Sequence, residues 1–270
     1  MTKAYYLLLP LLALCGCQLI SPEEEEENPI VNFEFTTQAE VDDFFNRFIS
    51  EINGDITVRG GEITNLNGLL RIQVIRGDLR IVGTSELPNL DGLSTLRRVE
   101  GDLELINNSG LINLRGLTSL EAIQSNVYLI NNWSLISLRG LDNLAEIGGE
   151  LVFNTIPELA DISSLSNVTT LGNELYLNNC TSLKNLEGLH NLEFITSDLN
   201  IIGNDSLESL EGLRGLLHVG GQVFVVENGG LTDLCGITSL INNGFSGNYE
   251  TRDNGYNPTQ DDIVDGNCSN

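Results

Sequence analysis

At 270 residues, the chain carries thirteen Lys and Arg against 38 Asp and Glu, a formal charge of −25 at pH 7. Phosphate backbones and anionic lipid headgroups are repelled by most of such a surface. This excludes a nucleic-acid partner and leaves any membrane attachment to acyl chains. Beyond the first residues no apolar run approaches the length of a membrane span, and the ending DDIVDGNCSN has no hydrophobic tail, so neither a transmembrane helix nor a glycolipid anchor is expected.

The first element is MTKAYYLLLPLLA, one lysine before an apolar run too short to cross a bilayer, which is the layout of a secretory signal peptide. It ends in Leu14-Cys15-Gly16-Cys17. This end resembles the lipobox of bacterial lipoproteins, with an aliphatic residue three before the modified cysteine and a small residue directly before it. The resemblance implies lipidation of Cys17 and loss of Cys15 with a leader of residues 1–16, leaving neither a metal clip nor a local disulfide. Glu23 to Glu27 then belong to a solvated, self-repelling tether, residues 17–35. An acidic run right after a lipidated cysteine also resembles the surface-export tag of lipoproteins in some Gram-negative bacteria. That implies an outer-membrane protein facing outward, and the tether is expected in either case.

In TTQAEVDDFFNRFISEI, residues Val41, Phe44, Phe45, Phe48, Ile49 and Ile52 fall at helical spacing, with Thr36 or Thr37 as N-cap and acids in the first turns. The spacing predicts an amphipathic capping helix within residues 36–53.

Residues 54–244 are a repeat. A two-residue opening recurs at Gly54-Asp55, Gly77-Asp78, Gly101-Asp102, Ser125-Asn126, Gly149-Glu150, Asn173-Glu174, Ser197-Asp198 and Gly221-Gln222; the first interval is 23 residues and the next six are 24. A second column keeps the same beat at Gly68, Gly92, Gly116, Gly140, Ser164, Gly188, Gly212 and Gly236. Within one unit Leu103 and Leu105 alternate as in a strand, whereas Leu111, Leu114, Leu117, Leu120 and Ile123 recur every third residue, the beat of a coil around an axis. A single unit buries too little to offset the entropy of ordering 24 residues, so the units must stack. The pattern resembles the leucine-rich repeat, and more closely the receptor L-domain. The resemblance implies a mainly β fold: a leucine-rich, right-handed, parallel β-helix-like solenoid of about eight 24-residue turns with short helical caps. Three short parallel strands per turn are expected, since Gly and Asn interrupt each unit too often for helix.

Three columns of side chains are candidate sites. Asn108, Asn132, Asn204 and Asn228, with Cys180 in the same slot, are expected to form a buried structural ladder that satisfies turn backbone groups. Cys180 is expected to be an inert thiol. Asp55, Asp78, Asp102, Glu150, Glu174 and Asp198 follow the turn residue; they suit local hydrogen bonding, although stacked carboxylates could also share a cation. Outward strand positions read Arg80, Glu104, Tyr128, Val152, Tyr176, Asn200 and Phe224, then Val82, Ile106, Ile130, Asn154, Asn178, Ile202 and Val226. So many large apolar groups on one outer face make a candidate interface, with Trp133 as an anchor at its edge. The competing reading is that a loop or the acidic arm covers them.

Residues 245–270 are expected to cap the far end. Asn257-Pro258-Thr259-Gln260 has the form of a helix start with Asn257 as N-cap, and Gly266 of its stop. Cys235 and Cys268 bracket this cap and in an oxidising compartment are expected to form a disulfide, the alternative being two free thiols. The two histidines, His190 and His218, lie in different turns and in no metal or triad spacing.

No catalytic, metal or cofactor site is therefore expected. The function expected is that of a monomeric, non-catalytic binding or adhesion module for a protein or glycan at the cell surface, held to the membrane by its lipid alone. The alternatives are a polysaccharide-active enzyme that uses the acidic column with Arg115 or Arg139, and an envelope spacer without a dedicated ligand.

Overall fold

The computed structural model describes residues 29–270. Cys17 and the run Glu23 to Glu27 lie outside the described residues. From Phe33 onward the chain forms mainly parallel strands in two sheets, in the manner of a parallel β solenoid. A ten-stranded sheet runs from Phe33–Phe35 to Tyr249–Arg252, and an eight-stranded sheet of two-residue strands runs from Glu51–Ile52 to His218–Val219. Each strand pairs with its counterpart one unit away, so Leu103 lies opposite Leu79 on one side and Val127 on the other.

The register follows from the repeat. Leu103, Leu105, Leu111, Leu114, Leu117, Leu120 and Ile123 are all fully buried, and the same positions of neighbouring units pack on them in one continuous core. Glycine is required where the coils meet most closely: a Cβ at Gly116 would stand 1.9 Å from the Leu90 carbonyl oxygen, and the backbone there has φ +106°.

Two strands per unit form, not the three expected. On the third side the pairing shrinks to isolated bridges, Asn113 with Ser137 and Ser137 with Asp161, and elsewhere to single 3-10 turns such as Asp91–Leu93. The cause is local. Asn113 Oδ1 accepts the Arg115 N–H at 3.0 Å and Asp161 Oδ1 the Ser163 N–H at 3.0 Å, so the side chains take backbone donors that a strand would need.

The N-terminal cap is shorter than expected. The helix spans Gln38–Phe44, with Thr37 as N-cap in a reciprocal pair with Glu40, and only Val41 and Phe44 of the expected apolar face are buried in it. Phe48 adopts a left-handed conformation (φ 56°) that ends the helical segment, and it is 71% exposed; Ile52 joins the short-strand sheet instead. The strand Phe33–Phe35 precedes the helix, inside the segment expected to be tether, and pairs with Ile56–Val58.

At the other end Tyr249–Arg252 adds a last strand to the long sheet, past the expected boundary at residue 244. The final helix is Gln260–Val264, and its N-cap is Thr259, paired reciprocally with Asp262, not Asn257. Asn257 Oδ1 instead accepts the Asn254 N–H at 3.1 Å. Cys235 and Cys268 form the expected disulfide, Cα atoms 4.9 Å apart.

Candidate ligand-binding face

Because side chains alternate along a strand, the long sheet presents two columns outward while its leucines point inward. The first column stacks Arg80, Glu104, Tyr128, Val152, Tyr176, Asn200, Phe224 and Glu250 on successive strands. The second stacks Val82, Ile106, Ile130, Asn154, Asn178, Ile202, Val226 and Arg252. Tyr128, Tyr176, Phe224, Ile106, Ile130 and Ile202 are each partly exposed, whereas Val152 and Asn200 sink to 9% and 7% exposure between their neighbours.

Charge bounds this surface at both ends. Arg80 Nε bonds Glu104 at 3.0 Å, and the same guanidinium reaches Asp55 at 3.3 Å and also Asp78. At the far end Arg252 pairs with Glu250 at 2.8 Å and lies 5.8 Å from the centre of the Phe224 ring. Between these ends, the outward positions from Val127–Ile130 to Val223–Val226 carry no charge. In a chain of net −25 such a stretch stands out as a local exception.

Polar groups line its margins. The Tyr128 hydroxyl donates to Glu150 at 3.3 Å, and burial followed by the charge of Glu150 pushes its pKa up to about 12. Asn200 Nδ2 donates to Glu174 at 2.5 Å, and Asn178 Nδ2 to Asn154 Oδ1 at 3.0 Å. Trp133 is 56% exposed, beyond the left-handed turn at Asn131 that ends its strand; Ile136, 50% exposed, follows it, and Ile112, 44% exposed, holds the same position one coil earlier.

The acidic column acts mainly on its own backbone. Asp55 Oδ1 accepts the Asp78 N–H at 2.9 Å, Asp78 Oδ1 the Asp102 N–H at 2.7 Å, and Asp102 Oδ1 the Asn126 N–H at 2.9 Å. Among the described residues, Asp78, Asp102 and Glu104 are the one carboxylate group close enough to share a cation, and Arg80 already pairs with two of its members. Arg115 and Arg139 pair with none of these carboxylates.

The ladder is continuous over short runs. Asn108 Oδ1 accepts the Thr84 N–H at 3.0 Å, and Asn132 Oδ1 the Asn108 N–H at 3.1 Å. Asn204 and Asn228 repeat the arrangement, and Asn228 in turn donates its N–H to Asn254 at 3.0 Å. Asn254 is a ladder member hidden from sequence reading because it lies 26 residues on, not 24. Burial pushes the Cys180 thiol up to about 12. His190 Nδ1 lies 3.5 Å from Glu187 and makes no hydrogen bond.

No helix of the described residues is long and apolar enough to cross a membrane. No protein-family model matches the chain, and no curated protein matches its sequence.

Proposed function

We propose that this chain is a non-catalytic binding module of the receptor L-domain type, a right-handed solenoid of about eight turns, displayed on the bacterial outer membrane by a lipid on Cys17. Its ligand, a protein or a glycan, docks on the outer face of the long sheet. One observation carries this reading: an uncharged, largely apolar and aromatic face, centred on Tyr128 and Tyr176, on an otherwise strongly acidic molecule. Hydrogen-bonding partners hold the polar members of that face in place, which suits a preformed surface.

The soluble chain from Ser21 onward, probed on an array of proteins and glycans, is expected to give signals that the Tyr128→Ala/Tyr176→Ala variant loses while keeping its unfolding midpoint. Unchanged signals refute the face. For the display, protease applied to intact cells is expected to cut the protein. Survival on cells with cleavage in lysates places it inside the envelope.

A further inference from the structure

The outward aromatic side chains of this face recur at a fixed interval. Tyr128, Tyr176 and Phe224 occupy one column on every second strand, with Val152 and Asn200 on the strands between. Neighbouring strands lie about 4.8 Å apart, so successive aromatics repeat at about 9.6 Å. Since Val152 and Asn200 are nearly buried, the column is a series of three aromatic ridges with two troughs between them.

That interval selects among ligands. An extended peptide presents same-side groups every second residue, about 6.7 Å, and falls out of step with the ridges after one contact. In a β-1,4-linked glycan, successive rings are flipped, so the same ring face recurs at every second sugar, close to the spacing of the ridges. The margins suit hydroxyl groups: the Glu150 and Glu174 carboxylates border one side, and the Asn154–Asn178 amide pair lies in the second column. Those carboxylates also disfavour an acidic polysaccharide, because no cation lies among the outward positions between Glu104 and Glu250 to offset them.

Resting on the reading that this face binds a ligand, we infer that the ligand is a neutral, extended, β-1,4-linked glycan. It lies along the stacking direction of the strands, with alternate sugars packed on Tyr128, Tyr176 and Phe224. The ring faces of such sugars are apolar C–H surfaces that pack on aromatics, while the hydroxyls at the ring edge reach Glu174, Asn178 and Asn154.

The test is calorimetric titration of the chain from Ser21 onward with cellohexaose, chitohexaose, their disaccharides and polygalacturonate. Binding of at least one neutral hexasaccharide is expected, with its disaccharide at least about tenfold weaker because it reaches a single ridge. Tyr176→Ala should weaken the hexasaccharide by about tenfold, and Tyr176→Phe should leave it nearly unchanged. The double change Val152→Tyr/Tyr176→Val keeps the number of aromatics but breaks their interval, and should weaken binding as Tyr176→Ala does.

No binding of either hexasaccharide overturns the inference, as does a disaccharide that binds equally well or a rearranged variant that binds unchanged. Preferential binding of polygalacturonate also overturns it. A protein ligand found on the array and lost in Tyr128→Ala/Tyr176→Ala would leave the face standing and remove the glycan. Ligands indifferent to that double change would remove the face itself.

Discussion

The amide of Asn204 holds Cys180 in place across one full repeat: its Oδ1 accepts the Cys180 N–H at 2.9 Å while its Nδ2 donates to the Leu177 carbonyl at 3.1 Å. Both partners are backbone groups buried beyond reach of water. Asn204→Ala strands the Cys180 N–H and takes a donor from the Leu177 carbonyl, and a buried unsatisfied group costs about 1–3 kcal/mol. Urea unfolding of this variant is expected to show a loss of about 2 kcal/mol or more. A loss of only a few tenths would mean that the ladder is ornamental.

Glycine at the coil contacts gives a second test, because two positive-φ glycines differ in surroundings. At Gly116 a Cβ would strike the Leu90 carbonyl oxygen, whereas at Gly83, φ +68°, nothing lies within 4 Å. Gly83→Ala should cost only the conformational penalty, about 1 kcal/mol. Gly116→Ala should cost clearly more, about 3 kcal/mol, as the coils are forced apart. Thr155 is the opposite case: a β-branched residue at φ 58°, so Thr155→Gly is expected to stabilise by about 0.5–1 kcal/mol. Equal penalties at the two glycines would contradict the close packing.

These residues also mark what the sequence could and could not reveal. Leucines at a strict interval of 24 disclosed the core, and their burial follows directly from that beat. The third strand was illegible because side chains such as Asn113 and Asp161 capture backbone N–H groups locally, a contest that periodicity does not register. At the first cap, Phe48 keeps helical spacing yet bends into a left-handed turn, because the chain must rejoin the short-strand sheet at Glu51. The outward columns and their charged start at Arg80 and Glu104 were visible in sequence, but their charged far end was not. Arg252 lies outside the 24-residue pattern and reaches Phe224 only once Tyr249–Arg252 joins the sheet.

Alkaline pH should weaken the fold in a defined window. Burial holds the proton on Cys180 up to about 12, whereas the unfolded thiol releases it near 9.0. The stability this confers is present below pH 9 and is lost as pH rises through 12. Tyr128 adds to the loss between 10.0 and about 12. Unfolding free energy followed from pH 8 upward should therefore fall less steeply in Cys180→Val than in the parent, whatever the two values at neutral pH. Parallel slopes would mean that the thiol is not held neutral.

The disulfide bridges residues 33 apart and ties the last helix to the core. In the chain-entropy model, closing such a loop contributes about 3–4 kcal/mol. Cys268→Ser is expected to lower stability by about that amount. Hydrogen exchange should then accelerate first in Tyr249–Arg252 and Gln260–Val264, with the strands around Val127–Ile130 unaffected. Uniform acceleration across the chain would show that the cap is not a separate cooperative unit.

The most direct test of the binding face places one charge on it and one elsewhere. Ile202→Glu puts a carboxylate within the uncharged stretch, and Phe194→Glu puts the same group on the short-strand sheet, at a residue that is likewise apolar and exposed. On the protein and glycan array, Ile202→Glu is expected to abolish the parent's signals and Phe194→Glu to preserve them. The reverse pattern, or equal retention by both, would contradict the account.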